Sequence, residues 1–292
     1  MNPSHRNTIF LEDDAPILAH TAHPGDQYVL RIQAPRIAAR AQPGSFAHIR
    51  CDKLLPMRRP LSIMRVSAKE GWVDFLYKAM GEGTRLLATR TVGEALSVLG
   101  PIGVPFAPQV ERPRVLLLGG GVGIPPMIFL AEHLRLAGKI YNPFVIMGSE
   151  VPFPFTTRPS KIMVPGMPPG VIAAMPLMED WGIPSRLASQ QNYPGCFDGY
   201  VTDVARAWLT ELTPAQRDEV EIFACGPHPM LHATAKLARE FELSCQVSLE
   251  EFMACAVGGC AGCTVEVKTP HGPAMKRVCV DGPVFDAQQV FN

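Results

Sequence analysis

Four cysteines near the end of this 292-residue chain carry the clearest chemistry in it: Cys255, Cys260, Cys263 and Cys279, in the run LEEFMACAVGGCAGCTVEVKTPHGPAMKRVCVDGP. Their spacing is C-x4-C-x2-C, followed by a fourth cysteine after fifteen residues. This is the plant-type [2Fe–2S] arrangement, in which one tight loop presents three thiolates and a later strand returns the fourth. Gly258, Gly259 and Gly262 suit it, because backbone without side chains can wrap a small cluster and aim its N–H groups at sulfur. A zinc site or reduced core cysteines are the alternatives. Zinc sites favour paired C-x2-C knuckles, and here only Cys260 and Cys263 form such a pair.

A second site is drawn in glycine. In RVLLLGGGVGIPPMIFLAEHL an apolar strand passes through Gly119, Gly120, Gly121 and Gly123 into a helix. Such a junction gathers N–H groups and the positive end of a helix dipole, which favours a pyrophosphate. The third glycine of G-x-G-x-x-G is missing, so a plain strand-to-helix turn is the competing reading. The segment FACGPHPMLHATAKL repeats the strand–turn–helix design and brings Cys225, Gly226 and Pro227 to the carboxyl edge of the same sheet. That edge is where α/β folds bind ligands. Cys225, His228 and His232 also show a C-x2-H-x3-H spacing; with no fourth ligand apparent, a zinc site is the poorer account. Earlier, after the second strand of this region, MGSEVPFPF puts Glu150 where a carboxylate could accept ribose hydroxyls and repel a 2′-phosphate, which predicts NADH over NADPH.

A third group lies in the first hundred residues. RRPLSIMRV is followed by FLYKAMGEGTRLLAT. Arg59, held by Pro60, suits paired charged hydrogen bonds to a pyrophosphate. Gly83 and Thr84 open the helix TRLLATR and supply a second anion site. Tyr77 offers a ring for stacking on a flavin or adenine. Surface charge and a strand hydroxyl at Ser62 are the bland readings; taken together the residues fit a barrel that holds FAD.

The elements needed to position these residues follow from pattern. From about residue 15 to 105, the runs QYVLRI, SFAHIRC, LSIMRV and WVDFLYKAM lie between turn signals and predict a small antiparallel barrel. From about 110 to 248, the strands RVLLLGG, PFVIMG and VEIFACG alternate with the helices PPMIFLAEHLRLAG, VTDVARAWLTE and PMLHATAKLAREFE. That alternation predicts a parallel α/β sheet. The chain divides as an FAD-binding β-barrel over 1–108, an NAD-binding α/β domain over 109–248 and a [2Fe–2S] domain over 249–292. The proline-rich PFPFTTRPSKIMVPGMPPG reads as an irregular surface excursion.

Composition sets limits on the rest. Twenty-seven basic residues balance 27 acidic ones, which leaves no electrostatic case for nucleic acid. The stretch from Val115 to Ala131 is uncharged but broken by glycines and prolines, so no membrane span is expected. The N-terminus, MNPSHRNTIFLEDDAP, lacks the apolar core of a signal peptide. Cys51, Cys196, Cys225 and Cys245 form no disulfide-like framework, and a reducing cytoplasm is the expected location.

R-x-P-L-S, GEGT, GGGxGIPP, CGPxPM and the terminal cysteine pattern occur in an order that resembles the ferredoxin–NADP reductase superfamily. Within it the chain is similar to the family of iron–sulfur electron-transfer subunits of dihydroorotate dehydrogenase B. The resemblance spans nearly the whole chain, and SLEEFMACAVGGCAGCTVEV…RVCVDGPVF is its most specific part. It implies FAD contacts at Arg59, Pro60, Leu61, Ser62, Leu76, Tyr77, Lys78, Gly83 and Thr84, and cluster ligands at Cys255, Cys260, Cys263 and Cys279. It also implies an FMN-bearing catalytic partner in a hetero-oligomer. Electrons would pass from dihydroorotate through that partner, this chain's cluster and its FAD to NAD+, in pyrimidine biosynthesis. A similar subunit of a bifurcating transhydrogenase or a hydrogenase is the runner-up, and a non-catalytic zinc-binding interaction protein the reading from another class. Two departures from the family stand out: Phe252 replaces a usual arginine, and Ala256 replaces the usual glycine after the first cysteine. The stretch from Pro152 to Gly195 is also longer and richer in proline than the family's.

Overall fold

The computed structural model describes residues 9–291; residues 1–8, on which part of the N-terminal reading rests, lie outside them. The described chain forms two compact units. One joins the residues up to Pro105 with Leu249–Val284, and the other joins Phe106–Ser248 with the residues from Phe285 onward.

The first unit is built on six strands: β1 (Phe10–His23), β2 (Gln27–Gln33), β3 (Phe46–Arg50), β4 (Arg59–Ser67), β5 (Trp72–Lys78) and β6 (Ala95–Ile102). They close a barrel in the order β1-β2-β5-β4-β3-β6 with antiparallel pairing throughout. Leu30, Ile32, Ile49, Ile63, Phe75 and Val98 are fully buried, each contributing about 1.5–3 kcal/mol by leaving water. Two short helices, α1 (Pro35–Ala38) and α2 (Glu82–Ala88), follow β2 and β5. Four strands coincide with the expected runs. The other two complete the barrel, and β1 shifts register between Glu12 and Ala15 and again between Ile17 and Ala19.

In the second unit β7 (Arg114–Gly120) leads through a 3-10 turn, Gly121–Gly123, into α3 (Ile124–Leu136), followed by β8 (Asn142–Gly148). The excursion then forms a minimal two-stranded pair, β9 (Arg158–Pro159) with β10 (Ala173–Ala174), before α4 (Pro176–Asp180) and β11 (Ser185–Ala188). Its irregular course is anchored: buried Arg186 on β11 donates from Nη2 to the Ile162 carbonyl at 2.8 Å. Next come α5 (Val201–Glu211), α6 (Pro214–Asp218), β12 (Val220–Cys225), α7 (His228–Glu240) and β13 (Ser244–Ser248). Strands β11, β8, β7, β12 and β13 are neighbours in that order, all paired parallel. Val115–Leu118 of β7 are wholly buried at the centre, the continuous apolar run expected of a strand covered on both faces.

The cysteine-bearing segment continues with a hairpin, β14 (Thr264–Thr269) and β15 (Gly272–Arg277), and the short α8 (Val278–Asp281). It is tied to the barrel's last strand region where Val104 N–H donates to the Gly282 carbonyl at 2.6 Å. Finally β16 (Val284–Asp286) takes the sheet edge beside β13, and α9 (Ala287–Val290) ends the described chain. Among the described residues no helix is long and apolar enough to cross a membrane.

Candidate functional site

In the barrel, the two segments expected to hold a flavin meet. Arg59 opens β4, and its Nη1 donates to the carbonyls of Met57 (3.0 Å) and Arg58 (3.2 Å). The guanidinium lies against Gly83: a Cβ there would stand 2.9 Å from Arg59 Nε and 3.1 Å from Cζ. The fixed cation and the buried Gly83 in the first turn of α2 therefore form one cradle, and a larger residue at 83 would displace the cation from it. Thr84 serves this turn, its Oγ1 accepting from the N–H groups of Met80 (3.1 Å) and Gly81 (3.2 Å). Leu61 is buried, Pro60 and Ser62 half-buried, and Ser62 lies opposite Phe46.

On β5, Leu76 and Tyr77 are buried and Lys78 half-buried. The Tyr77 ring, expected to lie against a flavin or adenine, stacks on Tyr28 at 5.4 Å and 16°. Its hydroxyl pairs with His20 Nε2 at 2.8 Å, and burial raises its pKa. Tyr77 is thus a core aromatic of the barrel, and a β5 contact to a ligand would come from backbone or from Lys78.

In the α/β unit all seven expected residues converge. Cys225, the last residue of β12, is paired with Gly119 near the end of β7, which places the two turns side by side. Gly123 is indispensable to the approach: a Cβ on it would lie 2.3 Å from the carbonyl carbon and oxygen of Cys225 and 2.5 Å from the Gly226 nitrogen. Gly120 faces Met230 Sδ and Pro227 Cδ, which a Cβ would meet at 2.5 and 3.2 Å. Pro125 and Pro126 fill the first turn of α3 and have no N–H to offer. The donors available to an anion are therefore those of the glycine turn itself. Glu150 is exposed, two residues past the end of β8. Cys225 is buried, whereas His228 and His232 are exposed and pack on Phe291 at 5.0 and 5.9 Å, so the C-x2-H-x3-H spacing does not gather its members.

The four cluster cysteines split by depth: Cys263 and Cys279 are buried, Cys255 half-buried and Cys260 exposed. Backbone amides point at the sulfurs. Cys260 N–H donates to Cys255 Sγ (3.4 Å), Gly262 N–H to Cys260 Sγ (3.4 Å) and Cys279 N–H to Cys263 Sγ (3.5 Å). Burial opposes ionisation of Cys255, but amides of Val257, Cys260 and Gly259 and the Cys260 thiol bring its pKa down to about 7. Burial and the neighbouring Cys263 thiol push Cys279 up to about 12. Four thiols furnished with amide donors are the donor set a [2Fe–2S] cluster takes. Among the described residues no group of three or more His, Cys, Asp or Glu side chains is spaced around a single ion.

The loop's shape is held by residues that the cysteine spacing did not reveal. Arg277 Nη1 donates to the Gly258 carbonyl at 3.0 Å, while Asp281 Oδ2 accepts from the Arg277 backbone N–H (2.8 Å) and Nε (3.2 Å). The signal was available in R-V-C-V-D, where a cation and an anion flank Cys279 symmetrically. Ala256 and Ala261 both adopt left-handed backbone, with φ of 57° and 53°. Backbone of this kind favours glycine, since a Cβ costs about 1–2 kcal/mol in that region. Phe252, the other departure, is 95% exposed and Val257 42% exposed, whereas Met253 and Phe285 are buried.

The barrel and the parallel α/β sheet define a class. The solved structure of an NADH-dependent reduced ferredoxin–NADP oxidoreductase, described in connection with flavin-based electron bifurcation, superposes with a TM-score of 0.76. It shares 26% identity, covering 96% of this chain and 90% of that one. The fold is also that of a ferredoxin NADP+ reductase from Neisseria gonorrhoeae, at TM-score 0.57 and 14% identity over 80% of this chain and 92% of that one. The molecule thus has the fold of the ferredoxin–NADP reductases, extended by an iron–sulfur segment. Residues 250–291 match the iron–sulfur cluster binding domain of dihydroorotate dehydrogenase B. The dihydroorotate dehydrogenase B (NAD+) electron transfer subunit of Shouchella clausii is 32% identical over 279 residues, covering 94% of this chain and 96% of that one. The Geobacillus kaustophilus subunit is 34% identical over 272 residues, covering 90% and 92%. The chain belongs to the family of dihydroorotate dehydrogenase B electron transfer subunits.

Proposed function

We propose that this chain passes electrons between NAD(H) and an FMN-bearing dihydroorotate dehydrogenase catalytic subunit, as the reductase half of a cytoplasmic hetero-oligomer in pyrimidine biosynthesis. Bound FAD and a [2Fe–2S] cluster would supply the chemistry that neither alone provides, exchanging the hydride of nicotinamide for single electrons. The chain's own part is placement. Arg59, seated on Gly83, would hold the flavin pyrophosphate through charged hydrogen bonds. Pro60, Leu61 and Ser62 with the backbone of Leu76–Lys78 would line the ring. The turns Gly119–Gly123 and Cys225–Pro227 would take the NAD pyrophosphate, with Glu150 at the ribose. Cys255, Cys260, Cys263 and Cys279 would ligate the irons. In this assignment residues 1–108 serve FAD, 109–248 NAD and 249–292 the cluster.

The observation that carries the reading is that the cysteine segment Leu249–Val284 belongs to the same compact unit as the barrel with its Arg59–Gly83 cradle. A one-electron centre and a flavin site sharing one unit suit direct exchange. Exposed Phe252 and Val257 flank the first cysteine and would be covered by the partner. A second reading, a subunit of an electron-bifurcating complex, draws on the likeness to the NADH-dependent reduced ferredoxin–NADP oxidoreductase; co-purification identifies the partner. The test is functional. The isolated chain should reduce artificial dyes with NADH but oxidise dihydroorotate only after an FMN-bearing subunit is added. Dihydroorotate-dependent NAD+ reduction by this chain alone would contradict the reading.

A further inference from the structure

Cys279 reaches the other three cysteines from a separate arm of the chain, and contacts at two places bring that arm to the loop. At one of them the backbone makes the join. Val278 N–H donates to the Cys263 carbonyl at 2.9 Å, and Cys279 N–H donates to Cys263 Sγ at 3.5 Å. At the other a side chain makes it. Arg277 Nη1 donates at 3.0 Å to the carbonyl of Gly258, which lies in the loop between Cys255 and Cys260. Gly258 is seated closely on the arm. Its φ is +78°, and a Cβ on it would stand 2.9 Å from Val280 Cγ2 and 3.3 Å from Arg277 Nη1. The guanidinium is itself held, since Asp281 Oδ2 accepts from Arg277 Nε at 3.2 Å and from its backbone N–H at 2.8 Å. Both side chains of this pair are largely shielded, at 24% and 23% exposed.

Two kinds of work are open to Arg277, charge and geometry. Its charge is matched by Asp281 on the same arm, so the pair adds no net charge beside the cysteines. A planar fork with fixed donor directions is suited to the other task, orienting a particular carbonyl. That carbonyl belongs to the peptide unit whose N–H is Gly259's, and in a planar trans peptide the two point in opposite directions. Holding the Gly258 oxygen on Arg277 therefore also fixes which way the Gly259 N–H faces. The next peptide plane carries Cys260 N–H, the donor to Cys255 Sγ at 3.4 Å. Amide donors of this kind set the potential of an iron–sulfur cluster, because they favour the more negative sulfurs of its reduced form.

We propose that Arg277 is a positioning residue for electron transfer: it pins the Gly258 carbonyl to the arm of Cys279, orients the amide donors around Cys255, and so sets the retention and the reduction potential of the cluster. This rests on the functional reading above, in which the four cysteines ligate a [2Fe–2S] cluster. Asp281 serves the same end by holding the guanidinium in place. The consequence has a sign. Freeing the loop should release the cluster faster and make its potential more negative, while the flavin site in the barrel keeps its FAD.

The test uses the full chain purified with its cofactors, as wild type and as Arg277→Met, Arg277→Lys and Asp281→Ala. FAD and iron content are measured first, and unchanged FAD shows that the barrel is intact. Cluster loss to excess bathophenanthroline is then timed without oxygen, and the cluster's potential is read by a titration followed by EPR. In Arg277→Met, release should be about ten- to hundredfold faster, the usual cost of removing an outer partner of a metal site, and the potential should fall. Arg277→Lys keeps the charge but loses the fork, and should show the same changes to a smaller degree. Asp281→Ala should also release the cluster faster than wild type. Purification of Arg277→Met with FAD but no cluster is the stronger form of the result, and the lysine variant then reports the potential. The proposal is overturned if Arg277→Met matches wild type in release and potential. It is overturned equally if lysine restores both and Asp281→Ala holds the cluster more tightly, which would assign the effect to charge. Faster release with an unmoved potential would reduce Arg277 to a brace and remove its hold on the donors. A wild-type chain that carries zinc in place of iron would instead overturn the functional reading on which the proposal rests.

Discussion

The cysteine loop and the glycine turn would each hold a redox group close to the chain, an iron–sulfur core and the pyrophosphate of NAD in the proposed reading, and they are built by opposite means. In the loop the side chains do the binding and the backbone yields to them: Ala256 and Ala261 are bent into left-handed conformations so that four thiols and their amide donors come together. In the turn the side chains have been removed. Gly123 approaches the Cys225–Gly226 peptide so closely that a methyl group has nowhere to go, and the donors are the backbone's own. A site made of side chains fails by loss of a ligand. A site made of backbone fails by gain of an atom.

The largest effects should come from the loop. Replacing any one of Cys255, Cys260, Cys263 or Cys279 with serine should abolish the reduced-cluster EPR signal while FAD stays bound. Cys51, Cys196 and Cys245 should tolerate the same change. Equal cluster retention in all seven variants would erase the contrast.

Next comes the turn. In Gly123→Ala the new methyl must push apart two backbone segments, at about 1–3 kcal/mol for a rigid overpacked site, so kcat/KM for NADH should fall roughly tenfold to hundredfold. Cluster and flavin content should not change. An Arg59→Ala variant examines the barrel, where side chain and glycine cooperate. Loss of charged hydrogen bonds of roughly 1.5–3 kcal/mol each should weaken FAD retention about tenfold or more, measured by equilibrium dialysis. Undiminished FAD affinity would move the pyrophosphate site elsewhere.

Two smaller effects sharpen the comparison. In the proposed reading Glu150 is a side chain serving a backbone site, and Glu150→Ala should then shift the ratio of kcat/KM for NADH over NADPH toward NADPH by a few-fold, roughly 1 kcal/mol. An unchanged ratio would remove it from nucleotide choice. Ala256→Gly relieves a left-handed alanine, a gain of about 1 kcal/mol, but removes a buried methyl worth about 0.8 kcal/mol. The two nearly cancel, so Tm should stay within a few degrees of wild type; a large drop would mean that the methyl's packing dominates.

What was legible in the sequence follows the same division. Cysteine spacing and glycine-rich turns are local patterns, and the strand-to-helix turns after β7 and β12 lie where the glycines predicted them. The alternation of apolar runs located β7, β8 and β12 and the helices α3, α5 and α7. It missed β1, whose acidic run and Pro16 break the period-two pattern and whose two register shifts absorb the irregularity. It also missed β11, β13 and β16, edge or near-edge strands of three to five residues that are too short to show a period. At the sites, what escaped was tertiary. Nothing in LYK shows that Tyr77 would spend its ring on Tyr28. The Arg277–Asp281 clamp was written beside Cys279, but only the fold shows that it reaches back to Gly258.

The central claim, that one chain connects NADH to a flavin and the flavin to a [2Fe–2S] cluster, is tested most directly by adding NADH to the purified chain without oxygen and recording absorbance and EPR together. The predicted result is bleaching of the flavin accompanied by the reduced-cluster EPR signal, with the flavin response kept and the cluster signal lost in Cys279→Ser. A colourless zinc-containing protein, or flavin bleaching in the wild type with a cluster that NADH never reduces, would contradict it.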